Sequence, residues 1–228
     1  MRALEPRDAA LVRAALAIPH GDDPELMARF AAAREEGTPT LWLDELTLMT
    51  VLFVGFPRAL VAARMLRRLE PVVPSENGAA YDRWKDWEAR GEATCRAVYA
   101  DHYDKLRAHV QELHPALDAW VIVDGYGRTM GRSGLDLVRR ELCAVALLIP
   151  QRVPRQLHSH LRGALNVGAT QAQVEAALDL AATDSLITKR QATDARRLFK
   201  DILAKHPSSR PPTPGPRSPL PAPRSPGS

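Results

Sequence analysis

Helical periodicity runs through nearly all of the first 206 residues, and this feature limits the fold more than any other. Apolar residues recur at steps of three and four, and no convincing run of alternating β-branched residues indicates a strand. The pattern predicts an all-α protein. The predicted helices cover residues 7–18, 24–35, 41–69, 79–89, 92–112, 115–123, 134–149, 153–167, 171–183 and 186–204.

Several helix boundaries are predicted from capping residues. Asp23-Pro24 offers an N-cap followed by a proline at the first helical position. Ser133-x-x-Asp136 and Thr170-x-x-Gln173 both have the spacing of a capping box. These motifs predict helices that begin near residues 24, 134 and 171.

Glycine and proline predict where helices stop or bend. Gly91 and the Gly125–Gly134 stretch are expected to interrupt helices, and Pro74 to end the segment before it. The long helix at 41–69 is expected to bend near Gly55 and Pro57.

The last 22 residues, 207–228, differ in composition from the rest. They hold nine of the nineteen prolines and a single large aliphatic residue, Leu220. A segment with so little to bury cannot offset the entropy of ordering, so we predict a disordered tail.

The charge distribution argues against nucleic acid as a partner. The tail contributes three arginines and no acid to the net charge of +4, which leaves 28 basic and 27 acidic residues in the first 206. A nearly neutral body lacks the basic face that phosphate backbones require. We therefore expect no nucleic-acid binding.

Compartment and membrane association are predicted from three features. The uncharged stretch Leu46–Pro57 has only twelve residues, below the ~18 needed to span a bilayer, and the N-terminus does not resemble a signal peptide. Cys95 and Cys143 lie 48 positions apart, without the spacing of a redox pair. These features predict a cytoplasmic protein that does not associate with membranes.

Glu141 is the first candidate for catalysis. Residues 142–149 are all apolar, and Glu141 falls on the same helical stripe as Val145 and Leu148. A carboxylate removed from water holds its proton more readily, which suits it to proton transfer near neutral pH. The alternative is a structural ion pair with Arg139 or Arg140.

His160 is the second candidate. It shares a mostly apolar stripe with Gln156 and Ala164 on the next predicted helix. His158 points roughly 200° away around that helix, so the His-x-His pair is a poor metal site and His158 is predicted at the surface or an interface. A short connection should bring Glu141 and His160 together in one pocket.

These motifs resemble the carboxymuconolactone decarboxylase family of the AhpD-like superfamily. The resemblance rests on an ordered series over about residues 91–180: Tyr126-Gly127-Arg128, Arg132-Ser133-Gly134-Leu135, Arg140-Glu141-Leu142, Gln156 to Thr170 with His160 and Asn166, and Val174-Glu175-x-Ala177-Leu178. It implies an AhpD-like helical bundle. It also implies a homo-oligomer, a trimer or a hexamer.

The resemblance also defines a core at 79–204 and an N-terminal helical segment at 1–74. Phe56-Pro57-Arg58-Ala59-Leu60 echoes Val153-Pro154-Arg155-Gln156-Leu157. A degenerate partial repeat and chance similarity between amphipathic helices both explain this likeness.

The superfamily has a peroxidase branch and a decarboxylase-like branch. The peroxidase pattern places cysteines where this chain has Val153 and Gln156, while its glutamate and histidine match Glu141 and His160. A thiol peroxidase needs an attacking and a resolving thiol. Peroxidase activity, with Cys143 as a substitute nucleophile, is therefore the third-ranked function.

The resemblance implies decarboxylation of a small carboxylated lactone or a related anion in aromatic catabolism, with no metal or organic cofactor. His160 is the predicted acid or base, and Glu141 its partner. The predicted substrate-binding residues are Gln156, Arg128, Arg132 and Arg140, because guanidinium groups pair with carboxylates. For each arginine, a plain salt bridge is the competing interpretation. A helical scaffold or binding protein without turnover is the alternative function.

Overall fold

The computed structural model describes residues 3–72, 76 and 79–205, and within these ranges the secondary structure is helical, without strands. The predicted all-α class is confirmed. The predicted tail at 207–228 and Pro74 lie outside the described residues. The α-helices are α1 (Pro6–Ala17), α2 (Asp23–Glu35), α3 (Thr40–Leu69), α4 (Trp84–Tyr99), α5 (Tyr103–Leu113), α6 (Pro115–Trp120), α7 (Leu137–Leu148), α8 (Pro154–Asn166), α9 (Gln171–Thr183) and α10 (Lys189–Lys205).

Helix α7 forms the centre of the bundle. Its residues from Arg140 to Leu148 are all buried, as the apolar run at 142–149 predicts. Helices α1, α3, α8 and α9 pack around it. Side chains of the N-terminal segment and of the core therefore belong to one apolar cluster. The structure does not test the predicted division at residues 74–79.

The glycines at 91 and 127 bring two helices into close contact instead of interrupting them. Helix α4 continues through Gly91, and Val121–Met130 forms a π-helix against it. A Cβ atom on Gly91 would lie 2.0 Å from the carbonyl oxygen of Ile122, and one on Gly127 would lie 2.0 Å from that of Trp87. The predicted break at Gly91 is therefore wrong, as is the predicted non-helical stretch over residues 125–130, because these glycines permit backbone contact. The predicted interruption is confirmed at residues 131–136, which are not helical.

Other boundaries also differ from the predictions. The helix predicted at 92–112 is divided at Ala100, which has φ 48° and begins the 3₁₀ turn Ala100–His102. Asp136, not Ser133, caps α7 by accepting a hydrogen bond from the backbone N–H of Arg139. The predicted capping box of Thr170 and Gln173 is confirmed.

The structure confirms the predicted bend in α3, where Gly55 has φ 73° and ψ 171°. Arg58 follows the bend and donates to the carbonyl oxygens of Ile18 and Gly21, which ties α3 to the N-terminal helices.

Helix α3 is also long and apolar enough to cross a membrane by length and composition, with a third of its most apolar window buried. The uncharged stretch counted in the sequence is shorter, because that count ends at the first charged residue. A core helix passes the same test, so the absence of membrane association remains a prediction.

Candidate active site

Glu141 and His160 form a buried pair at the contact between α7 and α8. The Nδ1 atom of His160 lies 2.8 Å from Oε2 of Glu141, with Glu141 at 0 % and His160 at 9 % exposure. The predicted approach of these two side chains is confirmed. The competing interpretation, an ion pair of Glu141 with Arg139 or Arg140, is wrong, because Glu141 pairs with His160 instead.

Local sequence explains how α8 comes so close to α7. The 3₁₀ turn Ile149–Gln151 ends α7, and Pro154 begins α8. A Cβ atom on Gly163 would lie 2.8 Å from Oε2 of Glu141 and 2.7 Å from Cγ1 of Val98. Glycine at this position therefore makes room for the carboxylate beside α8.

The hydrogen bond orients the imidazole of His160. When Glu141 is a carboxylate it can only accept, so Nδ1–H of His160 is then the donor in this contact. In the neutral ring, this leaves the lone pair of Nε2 as the acceptor. The other oxygen of Glu141, Oε1, is buried and has no hydrogen-bond partner among the described residues. The pair thus offers an oriented base and a buried acceptor.

Phe53 covers the histidine from α3. Its ring packs edge-on against His160, with centroids 5.2 Å apart and planes at 73°. This contact shields the pair from water and explains why His160 is almost completely buried. Sequence reasoning did not identify Phe53, because nothing in its local pattern relates it to a residue 107 positions later.

Two tyrosines extend the polar surroundings of the pair. The rings of Tyr99 and Tyr126 pack edge-on with centroids 6.0 Å apart. Burial, followed by neighbouring charges that include Glu141, raises the pKa of Tyr126 well above its ordinary value. Burial also raises the pKa of Tyr99. Both hydroxyls therefore remain protonated donors at neutral pH.

The structure assigns Arg132 and Arg140 a structural role. Arg132 makes a two-pronged contact with Glu45 on α3, at 2.8 and 2.9 Å, and Nη2 of Arg140 lies 2.8 Å from Oε2 of the same glutamate. Arg140 is fully buried and also donates to the carbonyl oxygens of Leu135 and Arg132. We call Glu45, Arg132 and Arg140 the buried charge triad.

In the triad, the guanidinium groups of Arg132 and Arg140 both pair with the carboxylate of Glu45, as the salt-bridge interpretation predicts. Burial by itself would raise the pKa of Glu45, but hydrogen bonds from Arg132 and Arg140 outweigh that effect and lower it. Glu45 therefore remains ionised. Sequence reasoning missed it because its partners are 87 and 95 positions away.

Among the described residues, neither Arg128 nor Gln156 makes a hydrogen bond or an ion pair with Glu141 or His160. Arg128 makes an ion pair with Asp124 at 3.1 Å, donates to the hydroxyl of Tyr81 and lies over the rings of Tyr81 and Trp87. Gln156 is exposed one turn before His160. Their predicted contacts with substrate therefore remain predictions.

The two cysteines lack the environment of a reactive thiol. Cys95 and Cys143 are both fully buried. Burial raises the pKa of each thiol to about 12, so both remain protonated at neutral pH. Within the described ranges, no cluster of three or more His, Cys, Asp or Glu side chains is arranged to hold a metal ion.

Comparison with known proteins adds two findings. A family model described as the carboxymuconolactone decarboxylase family matches residues 115–201, which include Glu141 and His160. The chain is also 30 % identical over 153 residues to Peroxisomal protein 2 of Schizosaccharomyces pombe. That alignment covers 65 % of this chain and 72 % of the yeast protein.

Proposed function

Because the chain belongs to the carboxymuconolactone decarboxylase family, within the AhpD-like superfamily, we propose that it decarboxylates a small carboxylated lactone or a related anion. The observation that carries this proposal is the 2.8 Å contact between the buried His160 and Glu141. Such a pair can hold and deliver a proton in a site protected from water.

The proposed reaction breaks the bond between the carbon frame and one carboxylate. The electron pair left behind delocalises towards the lactone carbonyl, and CO₂ leaves. The carbon frame then takes one proton, which we assign to Nε2 of the protonated His160. Glu141 stabilises the imidazolium before this transfer, as a carboxylate does for a catalytic histidine in hydrolases.

Turnover of 4-carboxymuconolactone tests this proposal. We expect the purified protein to consume the lactone and release CO₂, and His160→Ala and Glu141→Gln to slow turnover by about 10²- to 10⁴-fold. His20→Ala and Glu35→Gln are matched controls, because both side chains are exposed and lie outside the buried pair. Equal turnover by His160→Ala and the wild type would overturn the assignment.

A non-catalytic binding protein is the second candidate. The observation in its favour is the burial of the pair, with His160 only 9 % exposed beneath Phe53. Calorimetry separates the two functions, since binding of the lactone without CO₂ release would favour a binding protein. The thiol peroxidase ranks third, because burial raises the pKa of both cysteines to about 12.

We further propose a homo-oligomer, a trimer or a hexamer, that buries four exposed apolar residues of α3, which we call the apolar stripe. Leu48 and Leu52 precede the bend at Gly55 and Phe56 and Leu60 follow it, and all four are between 40 % and 65 % exposed. Large contiguous apolar patches are uncommon on monomers.

Sedimentation should show a species of three or six times the 25.1 kDa chain mass. Phe56→Glu should dissociate it, whereas Val72→Glu, at an exposed residue outside α3, should not. A wild-type protein that sediments only as a monomer would contradict the proposal. If the monomer instead bound lipid vesicles through this stripe, the predicted absence of membrane association would also be wrong.

We also propose a cytoplasmic location. The feature that supports it is the spacing of Cys95 and Cys143, which is not that of a disulfide framework. A fluorescent fusion of the full chain tests it. Because the yeast relative is named a peroxisomal protein, co-localisation with a peroxisomal marker is the outcome that would overturn this proposal.

A further inference from the structure

A cleft of about 240 Å³ lies between the C-terminal end of α4, the turn Ala100–His102, α5 and α8. Five of its lining side chains carry basic nitrogen groups, and no aspartate or glutamate lines it. We call this surface the basic cleft. Its basic residues are His102, Lys105, His109, His158 and Arg162.

This concentration of basic groups is local. The first 206 residues carry 28 lysines and arginines against 27 aspartates and glutamates, so the body as a whole is nearly neutral when histidine is counted as uncharged. Asp101 and Asp104 are next to cleft residues in the sequence, but both are exposed and neither lines the cleft. Oδ1 of Asp104 lies 3.6 Å from Nη1 of Arg96, which is not a cleft residue. Lys105 and Arg162 give the cleft positive charge with no carboxylate in its lining, and a concave surface with charge of one sign attracts anions.

The basic groups come from separate elements that are held together before any ligand binds. Nη2 of Arg162, on α8, lies 2.8 Å from Nδ1 of His102 in the 3₁₀ turn. Because arginine only donates, Nδ1 of His102 is the acceptor in this contact. Nε of Arg162 is buried without an acceptor among the described residues. This guanidinium is thus held by a histidine instead of a carboxylate.

The rest of the cleft suits a small carbon frame. Val98 and Leu106 provide apolar surface beside the basic groups. The volume lies slightly below the ~300 Å³ at which pockets for drug-sized ligands begin, which favours a small metabolite. Lys105 on α5 and Arg162 on α8 can engage two anionic groups at separate positions on one molecule.

The inner wall of the basic cleft borders the buried pair. Ser159 precedes His160 on α8, and both Ser159 and Tyr99 line the cleft. The ring of Tyr99 packs edge-on against Tyr126, and the charge of Glu141 contributes to the raised pKa of both tyrosines. The tyrosine that lines the cleft is therefore close enough to Glu141 to be affected by its charge.

We infer that the basic cleft binds a small dicarboxylate, with Lys105 and Arg162 holding its carboxylates and Tyr99 facing the buried pair. The link to catalysis rests on the proposed function, whereas anion binding does not. The inference assigns substrate binding to Lys105 and Arg162, whereas the sequence predicted Arg132 and Arg140. The latter two pair with Glu45.

Isothermal titration of the full chain with succinate tests the inference, with inorganic phosphate and neutral 1,4-butanediol as parallel probes at constant ionic strength. We expect succinate to bind, phosphate to bind more weakly and butanediol to give no heat. Lys105→Gln and Arg162→Gln should each weaken succinate binding about tenfold, the effect of losing one charged hydrogen bond. Lys85→Gln is the matched control, because Lys85 lies at the opposite end of α4 beside Trp84.

The outcomes separate this inference from the proposed function. If succinate binds and Lys105→Gln weakens this binding, the result supports the cleft inference even if no lactone turnover is found. If the protein turns over the lactone but Lys105→Gln changes neither the affinity for succinate nor the KM for the lactone, the cleft inference is overturned. The decarboxylase proposal then remains intact. Binding of phosphate but not succinate would overturn the carboxylate assignment. Lys105 is exposed, so its variant is expected to fold, which a melting curve checks.

Discussion

At the scale of single residues, burial decides which side chains are available for chemistry. Glu141 and His160 are buried together and hydrogen-bonded, so each fixes the position of the other. Cys95 and Cys143 are buried among apolar side chains, where the thiolate is unfavourable. The lack of water around both cysteines therefore suppresses thiol chemistry.

The thiols should be unreactive in the folded protein. Raising a thiol pKa from its ordinary value of 9.0 to about 12 lowers the thiolate fraction roughly a thousandfold at neutral pH. We expect almost no reaction of native protein with Ellman's reagent at pH 7.5, and two thiols per chain in guanidinium chloride. Fast labelling of the native protein would contradict this and revive the peroxidase.

At the scale of elements, α3 connects the N-terminal helices to the core through charge as well as apolar contact. Glu45 on α3 receives hydrogen bonds from Arg132 before α7 and from Arg140 within it. A Cβ atom on Gly134 would lie 2.7 Å from Cγ of Glu45, so the loop before α7 also closes on this side chain. The buried charge triad thus sets how α3 packs against α7.

Removing the charge of Glu45 should destabilise the protein. Glu45→Gln leaves two buried guanidinium groups with a neutral partner, which typically costs about 3–5 kcal/mol of unfolding free energy. Urea denaturation at pH 7 measures this loss. Glu35→Gln, at an exposed position on α2, is the control and should change stability by less than about 0.5 kcal/mol.

The same contact predicts a pH dependence. The pKa of Glu45 is lowered in the folded state, so its stabilising contribution is complete above the unfolded value of about 4.3 and is lost as the pH falls through the lower folded value. The stability difference between wild type and Glu45→Gln should therefore shrink below about pH 4. An equal difference at pH 7 and pH 3 would contradict this assignment.

At the scale of the whole molecule, one apolar cluster extends from Leu4 to Ile202. The predicted disordered tail, residues 207–228, lies outside the described residues, and the last described helix, α10, ends at Lys205. Because a proline-rich segment with one large aliphatic residue has little to bury, we expect it to add little to the stability of this cluster.

Truncation after Lys205 tests the role of the tail. We expect the melting temperature to change by less than about 2 °C and turnover, once a substrate is found, to be unchanged. A drop of many degrees, or a loss of turnover at unchanged stability, would show that the tail belongs to the fold or to the site. Calorimetry and the lactone assay on the same preparation distinguish these two results.

The sequence by itself determined the helical class, the buried run of α7 and the approach of Glu141 to His160. These features depend on local periodicity and on the short connection between α7 and α8. Both are visible in a sequence window of about 20 residues, since Glu141 and His160 are 19 positions apart. Gly91 was misinterpreted because a glycine that breaks a helix and one that lets two helices touch look alike in sequence.

Only the tertiary structure decided the partners that come from distant parts of the chain. Glu45 meets Arg132 and Arg140 across 87 and 95 positions, Phe53 covers His160, and the basic cleft joins α4, α5 and α8. Periodicity specifies which face of a helix is buried, but not which helix packs against it or at what angle. Those choices depend on how all the side chains pack at once, so they became apparent only in the folded molecule.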